Sequence, residues 1–131
     1  MTHITLQVPW PPTGNHAYTV ARGRKILSSK GRVYRDQVAV MIAAAARGER
    51  LAGRLSVRIE AYPPDNRVRD LDNLIKLPID CVKRAGVIAD DGDIDLLSIE
   101  RGYTCKGGAL WIRISSLERQ DNPRAYLYWT T

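Results

Sequence analysis

The chain has 131 residues, 44% hydrophobic and 26% charged, with 20 Lys/Arg against 14 Asp/Glu for a formal net charge of +6. That length holds one domain with a modest core over residues 1–131 and no comfortable second one, and the ordinary globular composition leaves no long tract for disorder. No run approaches the ~18 apolar residues of a membrane span, and Met1-Thr2-His3-Ile4 lacks the regions of a signal peptide, so a cytoplasmic protein without a membrane partner is expected.

Ile4, Leu6 and Val8 alternate as a first strand that stops at Pro9-Trp10-Pro11-Pro12, where proline removes backbone donors. Tyr18 to Leu27 reads as an irregular basic hairpin turning at Arg22-Gly23-Arg24. Ser28 or Ser29 can cap a first helix with an apolar stripe of Val33, Tyr34, Val38, Met41, Ile42 and Ala45, stopping at Arg47-Gly48. Leu55, Val57, Ile59 and Ala61 alternate with polar neighbours as a strand buried on one face and ending at Pro63-Pro64.

From Leu71 the apolar positions Leu74, Ile75, Pro78, Ile79, Val82 and Ala85 follow a helical period, and Gly86 supplies the cap. Pro78 sits inside that pattern, so this second helix either kinks there or begins in earnest only near Leu77. Leu97 and Ile99 open an extended segment to Tyr103, Gly107-Gly108 turn the chain, and Leu110, Ile112 and Ile114 form a last strand; the pair is expected to be an antiparallel hairpin. The expected fold is α+β: two helices packed on a small mixed β-sheet, in the chain order β, hairpin, α, β, α, β, β. The tail 117–131, with Tyr126, Tyr128 and Trp129, is too aromatic for pure solvent and is expected to contact a dimer partner.

The densest chemistry lies in Asp70-Leu71-Asp72-Asn73-Leu74-Ile75-Lys76 and, fourteen residues on, Asp90-Asp91-Gly92-Asp93. Clustered carboxylates in a basic protein suggest a metal site facing a polyanion: hard oxygens suit Mg²⁺ or Mn²⁺ at a phosphodiester, and Lys/Arg hold the backbone. Asp70 and Asp72 share a side only while the chain is extended, which places the motif at a strand-to-helix junction. Asp72 then falls near a helix N-terminus, with Lys76 one turn on along the same polar face. The plainer alternatives stay open. Asp72 alone makes a good N-cap, Asp72 with Lys76 a surface ion pair worth ~0.3–0.5 kcal/mol, and Asp91-Gly92 a turn beside solvated Asp93 and Asp95. An EF-hand fails on spacing, His3 and His16 are isolated, and Cys81 and Cys105 match neither a redox nor a zinc pattern.

Pro63-Pro64-Asp65, Arg69-Asp70-Leu71-Asp72-Asn73-Leu74-Ile75-Lys76, Asp80, Ala85-Gly86-Val87-Ile88 and Asp90-Asp91 together resemble the RusA-like crossover-junction endodeoxyribonucleases, the small Holliday-junction resolvases of bacteria and their phages. Pro11-Pro12-Thr13-Gly14-Asn15 and Leu27-Ser28-Ser29-Lys30-Gly31-Arg32-Val33-Tyr34-Arg35 extend the likeness to the first part of the chain. The resemblance implies a homodimer that binds four-way DNA junctions and makes paired nicks with Mg²⁺ or Mn²⁺. It implies Asp70, Asp72 and Asp91 as metal-binding acids, Lys76 as the catalytic lysine, and Asp90 as an additional acid.

Those roles agree with elementary chemistry. A lysine acts as a point charge at a pentacovalent phosphate, and a two-fold dimer matches the approximate symmetry of a junction. Arg22, Arg24, Lys25, Lys30, Arg32 and Arg35, with Arg67 and Arg69 beside the acids, are candidates to grip DNA phosphates, each with ordinary solvated surface as its alternative. One departure stands out: some members of the family place an aromatic near the position of Val68, where it could wedge at the strand crossover, and this chain has no Phe at all. Two rivals remain, a metal nuclease with less structural selectivity and a non-catalytic nucleic-acid-binding regulator.

Overall fold

The computed structural model describes residues 2–117. The expectation for the tail falls beyond Leu117, outside the described residues. Strands β1 (His3–Pro9), β4 (Leu55–Tyr62), β5 (Ile94–Arg101) and β6 (Ala109–Ser116) form a four-stranded sheet in the order β1-β6-β4-β5. β4 runs parallel to β5 and antiparallel to β6, which pairs antiparallel with β1 on its other side. β2 (Tyr18–Ala21) and β3 (Arg24–Leu27) form a separate two-stranded ribbon.

Alternation along the strands sends Ile4, Leu6 and Val8, then Leu55, Val57, Ile59 and Ala61, and finally Leu110, Ile112 and Ile114 to one buried face. Helices α1 (Ser29–Ala46) and α2 (Lys76–Arg84) pack on each other and close that face into one core with Val38, Ile42, Leu77, Cys81 and Val82. Full burial of each Ile or Leu stabilises the fold by about 1.5–3 kcal/mol. The expected α+β architecture and chain order are both present.

Ser28, not Ser29, caps α1, its Oγ accepting the Gly31 N–H at 3.0 Å, and Arg47 ends the helix in a left-handed turn at φ 53°. The buried stripe differs from the expected one. Val33 and Met41 are exposed and Ala45 with them, whereas Ala39 and Ala46 are buried beside Val38 and Ile42. Docking against α2 and β1 decides which face turns inward, and small residues allow the closer approach. At Gly31 a Cβ would lie 2.3 Å from the Ala17 carbonyl oxygen, so no side chain fits where α1 meets the ribbon's root.

β5 and β6 do not form the expected hairpin; they flank β4 on opposite sides. The segment between them crosses the end of β4, where the Gly102 N–H donates to the Ala61 carbonyl and the Cys105 N–H to that of Pro63, both at 2.8 Å. A Cβ on Gly102 would meet the Tyr62 ring at 2.5 Å, so the crossing needs glycine. Burial explains the order: β6 carries Leu110, Ile112 and Ile114 into the middle of the sheet, while mostly exposed β5 takes the edge.

The second helix begins late. Leu71–Leu74 is a 3₁₀ turn, Ile75 breaks the path at φ −101° and ψ −56°, and regular helix starts at Lys76. Pro78 therefore lies in the first turn, where helix geometry leaves the backbone N–H without an internal partner, and no kink is required.

Candidate active site and nucleic-acid interface

The approach to Asp70 is held by its own side chains. After β4 ends at Tyr62, Asp65 accepts the Arg67 N–H at 3.0 Å and pairs with the Arg69 guanidinium at 2.7 Å. Arg69 holds the Asp65 carboxyl below its ordinary value of 3.8, assisted by the Arg67 N–H. Arg69 also lies 5.6 Å over the Trp10 ring, and Arg101 donates to the Arg69 carbonyl. Asp70 is extended and precedes the 3₁₀ turn that carries Asp72; both are exposed. Because a 3₁₀ turn and the break at Ile75 separate them, Asp72 and Lys76 do not share one α-helical face, and among the described residues they form no ion pair.

Lys76 opens instead onto a cleft of about 330 Å³ between α2 and the start of β5, lined by Ile75, Lys76, Ile79, Asp80, Asp91, Ile94, Asp95 and Leu97. Asp80 follows Lys76 by four residues, so both point along one side of α2. Asp80 accepts a hydrogen bond from the Tyr18 hydroxyl at 3.1 Å. Burial first, and then the Asp80 charge, push the Tyr18 phenol well above its usual range, so Tyr18 stays a donor.

The acidic loop Asp90–Asp93 is latched on two sides. Asp90 accepts the Gly92 N–H at 3.1 Å as the cap of a short 3₁₀ turn, and the Lys83 amine reaches it at 3.0 Å and Asp91 at 3.6 Å. Lys83 is the chief cause of a lowered Asp90 carboxyl, and Asp90 in turn raises Lys83. On the other side Arg54 pairs with Asp95, lies 3.7 Å from Asp93 and donates to the Gly92 carbonyl at 2.8 Å. The structure thus brings Asp91 and Lys76 to one cleft with Asp80 and Asp95, and leaves Asp70 and Asp72 outside its lining.

Asp80, Lys83, Arg54 and Asp95 have parts in this site that sequence reasoning did not assign. The i+4 relation of Asp80 to Lys76 was a usable signal; Arg54, 41 residues from Asp95, offered none. The donor types suit a hard divalent cation, but among the described residues no three His, Cys, Asp or Glu side chains gather as a set able to hold one.

The candidate DNA contacts divide in the same way. Arg67 is displayed, its side chain 84% exposed, while Arg69 is only 18% exposed in its pair with Asp65. Arg35 pairs with Asp36 at 3.0 Å, and Arg32 is bonded to the Leu27 carbonyl and Ser29. Arg22, Arg24, Lys25 and Lys30 are exposed around the ribbon and the start of α1. Cys81 and Cys105 are free, and burial pushes the Cys81 thiol up to about 12, which leaves it unreactive. Among the described residues no helix is long and apolar enough to cross a membrane.

The family model described as endodeoxyribonuclease RusA matches residues 9–115. The crossover junction endodeoxyribonuclease of Enterobacteria phage 82 is 40% identical over 115 residues, covering 88% of this chain and 94% of that protein. Its counterpart in Escherichia coli strain K12 is 38% identical over 117 residues, covering 89% and 98%. That of Shigella sonnei strain Ss046 is 37% identical over the same length.

Proposed function

The chain belongs to the RusA family of endodeoxyribonucleases, and on that premise we propose that it is a cytoplasmic Holliday junction resolvase, a single-domain enzyme making paired symmetric nicks in four-way DNA junctions during recombination and repair. The observation that carries this reading is the meeting of Lys76, from α2, with Asp91, from the acidic loop, across one cleft. Lys76, an exposed residue of the lining, supplies a positive charge for the scissile phosphate, and Lys83 and Arg54 hold the loop that carries Asp91. Arg67 and the basic residues from Arg22 to Arg35 supply contacts to the DNA backbone.

The proposed cation is Mg²⁺, with Mn²⁺ able to substitute, and its ligands are Asp70, Asp72 and Asp91. Asp90 serves the loop as cap and ion-pair partner. The active form is a homodimer, which accounts for the division of the acids within one chain. β5 ends the sheet with an outer edge that pairs with no described strand, and Leu96 and Leu97 on it are 47% and 42% exposed. Asp91 lies just before the start of β5, whereas Arg101 at its other end contacts the backbone at Arg69, next to Asp70. Two copies paired antiparallel along β5 would set the Asp91 end of one against the Asp70 end of the other.

The test is incubation of purified protein with labelled four-way junction, linear duplex and single strand, with and without Mg²⁺ or Mn²⁺. Cation-dependent symmetric cuts in the junction are expected. Equal cutting of linear duplex would favour the less selective metal nuclease, a reading to which the 98% exposed aliphatic Val68 gives some weight. Junction binding without cleavage under any cation would leave a non-catalytic regulator.

A further inference from the structure

We propose that the β2–β3 ribbon is a duplex-gripping arm that enters the major groove of a DNA arm, and that its root sets the offset between that groove and the Lys76 cleft. This deepens the DNA-cleaving reading and rests on it. Residues 1–35 contain Arg22, Arg24, Lys25, Lys30, Arg32 and Arg35 and no Asp or Glu, which equals the whole formal net charge of +6; the rest of the chain balances. Among the described residues Arg22, Arg24, Lys25 and Lys30 form no salt bridge, unlike Arg35. Arg22, Arg24 and Lys25 are exposed on the ribbon, and Lys30 is exposed beside it in the first turn of α1, a basic surface complementary to a polyanion.

The ribbon itself has little reason to stand alone. All residues from Thr19 to Ile26 are exposed, Val20 to 74% and Ile26 to 41%, and a lone two-stranded hairpin is marginal in water. Its two-residue turn places Arg22 at φ 52° and Gly23 at φ 75°, both left-handed. Turn stability would assign the first of these positions to Asn, Asp or Gly, so Arg22 puts a cation at the tip against local preference. Two strands ~4.8 Å apart with their side chains match a groove ~12 Å wide and not one of ~6 Å.

The root is anchored. Tyr18 bonds Asp80 on α2, the Ser28 N–H donates to the Ala17 carbonyl at 2.9 Å, and Lys25 lies 5.1 Å over the Tyr18 ring. Since α2 also carries Lys76, a ribbon seated in a groove holds the cleft at a fixed distance along the DNA.

The test combines Arg22→Asn, Arg24→Gln and Lys25→Gln, with Arg22→Asn also made alone. Asn-Gly is a favourable turn, so Arg22→Asn should match or exceed the parent's thermal stability yet bind junction DNA more weakly; a merely structural Arg22 predicts no loss of binding. For the triple variant, junction affinity should fall at least about tenfold at ~0.15 M salt, and the log–log salt slope should shrink by about 2 to 3. Guanine N7 protection from methylation should disappear at one patch on the bound arms. An unchanged slope with unchanged N7 protection would overturn the arm, and protection confined to adenine N3 would overturn the major-groove assignment. Parent protein that binds no DNA at any salt would overturn the resolvase reading together with this one, which separates the two failures.

Discussion

Lys83 and Asp90 form a 3.0 Å ion pair that ties the acidic loop to the last turn of α2. Asp90 is thereby occupied by the amine and by the Gly92 N–H, while Asp91 also lines the cleft. Asp90→Asn should slow single-turnover junction cleavage by about 10-fold, as expected for a supporting group. Asp91→Asn, Asp72→Asn and Lys76→Ala should each slow it by more than about 100-fold. Junction affinity should persist or rise in the Asn variants because a charge that repels phosphate is gone. Equal rates for Asp90→Asn and Asp91→Asn would remove the distinction.

The same pair predicts a pH response. Lys83, and then the Gly92 N–H, lower the Asp90 carboxyl below 3.8, so its contribution to loop stability is complete well above that value and is lost as the pH falls through the lowered one. Carboxyl NMR titration should place Asp90 under 3.8 in the parent, and Lys83→Gln should move it upward. An unmoved titration would mean that the latch is absent in solution.

Arg67 and Arg69 are neighbours in the sequence with opposite placements, and salt dependence separates them. Arg67 is displayed, so Arg67→Ala should weaken junction binding and reduce the salt slope by about 1. Arg69 pairs with Asp65 and lies over Trp10, so Arg69→Ala should loosen the approach to Asp70 and depress cleavage with little change of slope. A slope reduced equally by both would make Arg69 a phosphate contact after all.

Pro78 is fully buried in the first turn of α2. Pro78→Ala should leave helical circular dichroism unchanged while lost packing and a freer unfolded chain destabilise the fold by about 2 kcal/mol in urea unfolding. A gain in helicity would mean that the proline had been bending a helix that begins before Lys76.

What was legible in the sequence was local. Alternation at Ile4-Leu6-Val8, Leu55 to Ala61 and Leu110 to Ile114 needs no partner to be read, and Ser28 caps α1 from three residues away. The burial of Ala39 in place of Met41 was not legible, because α2 and β1 choose the face. β5 and β6 look like a hairpin along the chain, since nothing in either strand announces that β4 lies between them. The candidate site was partly legible for the same reason: Lys76 and Asp91, which line one cleft, stand out by type and spacing, whereas the Arg54 and Lys83 latches exist only after folding.

The division of the acids within one chain leads to the most decisive expectation. If Asp70 and Asp72 of one protomer work with Asp91 of the second, mixing two inactive variants should restore cutting. In a heterodimer of Asp70→Asn and Asp91→Asn subunits, one of the two composite sites carries both substitutions and the other carries neither. Such a mixture should nick one strand of each junction, giving nicked rather than fully resolved products, at about half the parent's site count at most. Sites contained within single chains would each keep one substitution, and the mixture would stay inactive. Light scattering of the mixture must show a dimer for the result to bear on the pairing; an inactive mixed dimer would return the acids to one chain and require the Asp70 segment and the Asp91 loop to close upon each other when DNA binds.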